Sequence, residues 1–183
     1  SQWVGVPFWL EPTDNRLKAI HQGNPAPSPA LENLEGMVHY WIEHPEWMNM
    51  LDPDSPVFQD KYLERLLYQN FWGKHLKASS RVLDIGAGVG RMTQWALDKS
   101  CEVQAIDPDL RSLWRLLSHV SDKPGYIDIH WSTAEKMPDL GTFDVAIACE
   151  VLNYVESPEQ CISRIYSALK PGGKLLISVE ARW

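Results

Sequence analysis

Residues 82–93 read VLDIGAGVGRMT, and this stretch decides how the rest of the chain is read. Val82 to Ile85 form an apolar run that breaks at Gly86, followed at two-residue spacing by Gly88 and Gly90 and then by Arg91. A strand that runs through glycines into a helix lets the backbone approach a ligand closely, because glycine has no Cβ and adopts positive φ readily. Two common nucleotide loops do not fit. The dinucleotide pattern G-x-G-x-x-G wants its third glycine where this chain has Arg91, which disfavours an NAD-dependent oxidoreductase. A P-loop needs Gly-Lys-Ser/Thr, and GRMT does not supply it. An acid, Asp84, sits inside the strand end, two residues before the first glycine.

Outward from this loop the same texture repeats. GRMTQWALDK reads as a helix, CEVQAID as a second strand, DLRSLWRLLSHV as a second helix and YIDIHW as a third strand. FDVAIACE, a capped helix and GKLLISVE follow. Runs rich in β-branched residues argue for strands over short helices, and strand–helix alternation predicts a parallel sheet covered by helices on both faces. Asp107 closes the second strand, where a carboxylate can accept both hydroxyls of a ribose. Loop and acid together indicate an adenosine-containing ligand.

One helix is delimited by its own sequence. Ser157 is a good N-cap, Pro158 suits the first helical position and Gln160 completes a capping box. Ile162, Ile165, Tyr166 and Leu169 are expected on its inner face, and KPGGK at 170–174 is expected to stop it. Residues 1–75 differ: they hold five of the nine tryptophans and show no strand alternation. Residues 28–44 and 55–76 read as amphipathic helices, with Tyr40, Trp41, Trp47, Tyr68, Phe71 and Trp72 as core or pocket aromatics. The expected division is an N-terminal helical, Trp-rich cap over 1–75 packed on a ligand-binding α/β domain over 76–183.

A formal net charge of −7 argues against non-specific nucleic-acid binding. No apolar run reaches the ~18 residues of a membrane span, and the beginning lacks a signal-peptide pattern. Cys101, Cys149 and Cys161 form no CxxC pair and read as buried small residues, which with reduced thiols suits the cytoplasm. His39 and His44 are five apart and fall on different helix faces, so no metal site is expected.

VLDIGAGVGRMT, VQAIDPD, STAEKMP, FDVAIACEVLNYV and LKPGGKLLISVE, in this order and spacing, resemble the successive motifs of class I S-adenosylmethionine-dependent methyltransferases. The resemblance covers about residues 80–180 and implies a Rossmann-like fold with S-adenosylmethionine as cofactor. By it, Gly86, Ala87 and Gly88 lie along the methionine part, Asp84 holds the loop, and Arg91 meets the cofactor carboxylate. Asp107 holds the ribose, Pro108 packs near the adenine, and Ala134 and Glu135 contact the adenine edge. The position before them, often acidic in relatives, is Thr133 here. Cys149 and Glu150 close the fourth strand beneath the sulfonium, with Glu150 a cofactor-side or a substrate-side carboxylate.

The implied activity is methyl transfer to a small-molecule nitrogen, oxygen or carbon nucleophile. The GAGVGR loop raises a protein N-terminal amine as an alternative acceptor, and a non-catalytic methyltransferase-like subunit is the alternative from another class. A base is needed only where the nucleophile must lose a proton. Glu150, His130, His44 and Tyr154 are the candidates. Family members continue past the fifth strand through a helix and a reversed β-hairpin, whereas this sequence ends at SVEARW. The expectation is a C-terminally short chain whose open sheet edge is covered by a homodimer mate or partner chain.

Overall fold

A computed structural model describes residues 21–22 and 48–179. After β1 (His21–Gln22) come α1 (Phe58–Trp72), a 3-10 turn (Gly73–His75), β2 (Arg81–Ile85), α2 (Arg91–Asp98) and β3 (Glu102–Asp107). Then follow α3 (Leu110–Val120), β4 (Tyr126–Trp131), a 3-10 turn (Ala134–Lys136), β5 (Phe143–Cys149), α4 (Pro158–Ala168) and β6 (Leu169–Ser178). The strands form one sheet in the order β1-β4-β3-β2-β5-β6, and every neighbouring pair is parallel.

The chain starts this pattern in the middle of the sheet, works outward through β3 and β4, and returns to the other side of β2 with β5 and β6. The order therefore reverses between β2 and β5, and a crevice opens beyond the carboxyl ends of the strands at such a point. Gly86 begins the loop immediately beyond β2.

Alternate strand residues feed two cores. Val82, Val103, Ala105, Ile127, Ile129, Val145 and Ile147 pack with Trp95, Leu113 and Leu116 of α2 and α3. Leu83, Ile85, Ile106, Ala146 and Ala148 pack with Phe143, Cys161 and Ile165 on the α4 side. Burial on both faces explains why β2 and β5 read as near-continuous apolar runs, whereas β4 alternates Ile127 and Ile129 with the buried polar Asp128 and His130. Cys101 and Cys161 are fully buried free thiols, whose pKa burial pushes up to about 11.

Helix α4 starts as its sequence dictates, with the Ser157 hydroxyl accepting the Gln160 N–H at 3.2 Å. Its inner face is Cys161 and Ile165, both buried, whereas Tyr166 is 80% exposed and departs from expectation. Tyr166 lies one residue, about 100°, past Ile165, far enough round the helix to leave the seam. The helix ends at Ala168, and β6 begins at Leu169 rather than after the glycines. Leu169 pairs with Phe143 and Lys174 with Val145, so the KPGG residues form a register shift within β6.

Helix α1 holds a second departure. Leu63, Leu67 and Phe71 are 58–67% exposed, and Phe71 belongs neither to core nor to pocket. The helix docks through Lys61, Glu64, Tyr68 and Trp72 instead, residues on one face by the 3.6-residue period. Tyr68 and Trp72 stack at 4.6 Å and 6° against the α2/α3-side core. Tyr40, Trp41, Trp47, His39, His44 and the helix expected over 28–44 lie outside the described residues. Among the described residues no helix is long and apolar enough to cross a membrane.

Candidate functional site

A cavity of ≈ 340 Å³ opens at the carboxyl ends of β2, β3 and β5, bounded by the glycine loop, Asp107 and Glu150. Its floor is set by three glycines with distinct duties. Gly86 has φ +65°, and a Cβ there would lie 2.4 Å from Cγ2 of Val151. Gly90 has φ +96°, and a Cβ there would lie 2.9 Å from Cγ of Leu116 on α3. At Gly88 a Cβ would meet nothing within 4 Å, so this residue lines the cavity with open space before it. Gly86 and Gly90 thus serve packing, and Gly88 serves close approach. Gly90 supplies the helix packing that a dinucleotide loop obtains one residue later, which leaves position 91 to an arginine.

Two buried acids tie the loop down. Asp107 accepts the Gly88 N–H at 2.8 Å and the Asp109 N–H at 2.8 Å. Asp84 accepts the Thr93 hydroxyl at 2.5 Å, linking the end of β2 to the first turn of α2. Thr93 was not singled out in the sequence, although it falls on the loop-facing turn. The Ala87 N–H donates to the Ile106 carbonyl at 3.0 Å, fastening the loop to β3 as well.

Burial pushes both carboxyls up to about 7; bonds from Thr93 to Asp84, and from Asp109 and Gly88 to Asp107, oppose that rise. The consequence for stability has a definite sign. Asp84 binds its proton more tightly folded than unfolded, so its stabilising contribution is full below about 3.8 and is lost as pH rises to about 7. Asp84→Asn keeps an acceptor for Thr93 and cannot ionise. Its stability relative to wild type should rise by about 1–3 kcal/mol between pH 5 and pH 8, at about 1.4 kcal/mol per pKa unit. Paired thermal melts check this, and a difference that does not change with pH contradicts it.

The other cofactor-side residues are arranged around the same space. Ala87, Arg91, Pro108, Ala134, Glu135 and Cys149 all line the cavity, as does Thr133. Ala134 and Glu135 are buried in the 3-10 turn after β4, and Glu135 Oε1 accepts the Glu156 N–H at 2.8 Å. Glu150 follows β5 with φ +60°, a conformation that L side chains rarely adopt. Its N–H donates to the Ser178 carbonyl at 3.0 Å, which holds this turn against β6.

A charged cluster from α1 closes over the loop, and sequence reading missed it. Lys61 is buried and bonds Glu64 at 2.9 Å and Glu150 at 3.2 Å. Arg91 meets Glu64 at 2.6 Å and Glu150 at 3.5 Å, and its second nitrogen lies 3.3 Å from the Cys149 thiol. The Tyr68 hydroxyl donates to Glu150 at 3.3 Å, and burial pushes its pKa up to about 12. The available signal was the helical spacing of 61, 64 and 68 along α1, about a quarter turn round from Leu63, Leu67 and Phe71.

The four base candidates separate. Glu150 and Tyr154 line the cavity, Tyr154 at 57% exposure. His130 lines no part of it: the ring is buried within the sheet layer, 2.5 Å from Gln104 Oε1 on β3. His44 lies outside the described residues.

Known proteins share this architecture. The phosphoethanolamine N-methyltransferase 2 of Haemonchus contortus, solved with phosphomonomethylethanolamine and S-adenosylhomocysteine, is 28% identical with a TM-score of 0.58 over 64% of this chain and 28% of that one. The N-methyltransferase NodS of Bradyrhizobium japonicum WM9 superposes with a TM-score of 0.57 at 24% identity, over 69% of this chain and 63% of NodS, a likeness of fold. The ubiquinone biosynthesis O-methyltransferase of Xanthomonas axonopodis pv. citri is 34% identical over 57% of this chain and 45% of its own length. That of Azotobacter vinelandii is 27% identical over 83% of this chain and 62% of its own. The chain spans about half the length of the curated relatives it matches. The family model for a methyltransferase domain matches residues 57–182, from the foot of α1 past the end of β6. With the glycine loop, the acid at the tip of β3 and the strand order all in place, the chain belongs to the methyltransferase-domain family.

Proposed function

We propose that this chain binds S-adenosylmethionine in the cavity beyond β2 and transfers its methyl group to a small-molecule nitrogen, oxygen or carbon nucleophile. The observation that carries the reading is the pairing of Gly88 with Asp107. The glycine presents bare backbone to the cavity, and the buried carboxylate beside it is already anchored by that glycine's N–H. A carboxylate has about four acceptor positions, and Asp107 uses two on backbone N–H groups, so it retains capacity for two ribose hydroxyls. The residues present therefore fit the cofactor.

When bound, the cofactor supplies a methyl group made electrophilic by its sulfonium. The chain's share is alignment and exclusion of water. Asp107 would hold the ribose, Gly86 to Gly88 the methionine part, and Ala134 with Glu135 the adenine edge. Arg91 and Lys61 are the cations at the loop end of the cavity. Glu150 already accepts from Lys61 and Tyr68, so we assign it to orienting that end and not to taking a proton from the acceptor. Tyr154, exposed at the cavity, is on the acceptor side of this reading.

Calorimetric titration with S-adenosylmethionine, S-adenosylhomocysteine and NAD tests it. Binding of the first two without NAD is expected; NAD binding without the others overturns the reading. The relatives that act in ubiquinone biosynthesis are O-methyltransferases, which makes hydroxyl acceptors the first to assay with methyl-labelled cofactor.

A further inference from the structure

We propose that Glu64 is an internal carboxylate that competes with the cofactor's own carboxylate for Arg91, and so sets how tightly carboxylate-bearing ligands bind. The inference rests on the cofactor reading above.

Among the described residues the cluster over the loop brings two cations, Lys61 and Arg91, against two carboxylates, Glu64 and Glu150. Both cations line the cavity, and the Arg91 side chain is only 9% exposed. The shortest contact in the cluster is Arg91 to Glu64 at 2.6 Å. Glu64 bonds both cations yet is not part of the cavity wall, so it reaches them from behind, on the α1 side. Burial alone would raise the Glu64 carboxyl, but hydrogen bonds from Lys61 and Arg91 hold it below its ordinary value.

A ligand carboxylate arriving from the cavity would find both terminal nitrogens of Arg91 taken, one by Glu64 at 2.6 Å and the other by Glu150 at 3.5 Å. A bidentate arginine–carboxylate pair needs both, so the ligand gains it only as one of these carboxylates withdraws. Glu150 is poorly placed to do so: it is 19% exposed, sits in a positive-φ turn and is fastened to Ser178. Glu64 is 34% exposed on a helix whose apolar face already points outward, so its carboxylate can swing into water. Geometry selects Glu64 as the one that yields.

The competition has a sign that ordinary electrostatics does not. S-adenosylmethionine carries a net positive charge, so deleting a nearby acid should by simple Coulomb attraction weaken it. Competition predicts the reverse. In Glu64→Gln, the calorimetric Kd for S-adenosylmethionine should fall about tenfold, the scale of one charged hydrogen bond. Decarboxylated S-adenosylmethionine, which lacks only the carboxylate, should bind this variant no better than wild type. Glu64→Asp keeps the charge, shortens its reach and should shift the Kd in the same direction by less, which covers the case of a misfolded Gln variant. Unchanged or weaker S-adenosylmethionine binding in both variants overturns the proposal and leaves the cofactor reading standing. Equal tightening of both ligands also overturns it, because the carboxylate is then not the group competed for. Wild-type protein that binds neither ligand overturns the cofactor reading and this inference together.

Discussion

Asp107→Ala is expected to weaken S-adenosylmethionine binding by about 100-fold or more, with the fold retained. The carboxylate stands at the tip of β3 with one oxygen on the Gly88 N–H and the other on the Asp109 N–H. Its truncation would remove the acceptor we propose for the two ribose hydroxyls and the bond that ties the glycine loop to β3. Hydrogen bonds to a charged group are worth about 1.5–3 kcal/mol each, and two of them make about 100-fold or more at 1.4 kcal/mol per decade. Asp107→Asn keeps one acceptor oxygen and should lose about tenfold, the share of one such bond. Because burial holds this carboxyl near 7, wild-type affinity should also rise with pH from about 6 to 8, as the acceptor form fills. That rise should vanish in Asp107→Asn. Calorimetry checks all three, and wild-type affinity in the Ala variant would place the ribose elsewhere.

The glycine series should divide stability from binding. Gly86→Ala and Gly90→Ala each force a left-handed backbone on an L side chain, and each drives a methyl into a neighbour, Val151 or Leu116. Left-handed strain costs about 1–2 kcal/mol, and overpacking adds about 1–3 kcal/mol, so each variant should lose about 3 kcal/mol. That is a large part of the 5–15 kcal/mol typical of a folded domain, and a drop in melting temperature of about 6–12 °C follows at about 2–4 °C per kcal/mol. Gly88→Ala meets no atom within 4 Å and should lose only the strain, about 1 kcal/mol. Its cost appears in binding, because the added methyl stands in the open space before the cavity floor. Denaturant titration against calorimetry separates the two. Equal destabilisation of all three variants would show that the packing and approach duties are assigned wrongly.

Much of the scaffold was legible because its causes are local or strongly periodic. The strands from β2 to β5 announce themselves as short runs rich in β-branched residues between turn signals. The start of α4 is written in Ser157, Pro158 and Gln160, three neighbouring residues. Gly86, Gly88, Gly90 and Asp107 could be read as a ligand loop, because a backbone that turns and approaches a ligand has so few residue types to choose from.

What escaped the sequence depends on pairs of residues far apart along it. Of the aromatics expected in core or pocket on α1, Tyr68 and Trp72 pack on the core and Phe71 does not. Leu63, Leu67 and Phe71 face outward because Lys61 and Glu64 find their counter-charges on Glu150 and Arg91, 89 and 27 residues away. His130, one of four base candidates, is buried against Gln104 across the strand pair and lines no part of the cavity. Arg91 could be expected at the ligand's carboxylate, but not that another carboxylate, Glu64, already holds it. By itself, then, the sequence determined the parallel sheet, the glycine loop and the acid beside it, which follow from backbone sterics and local apolar period. Only the tertiary structure decided which charges meet over that loop, because desolvation and Coulomb energy depend on distance in space and leave no period in the chain.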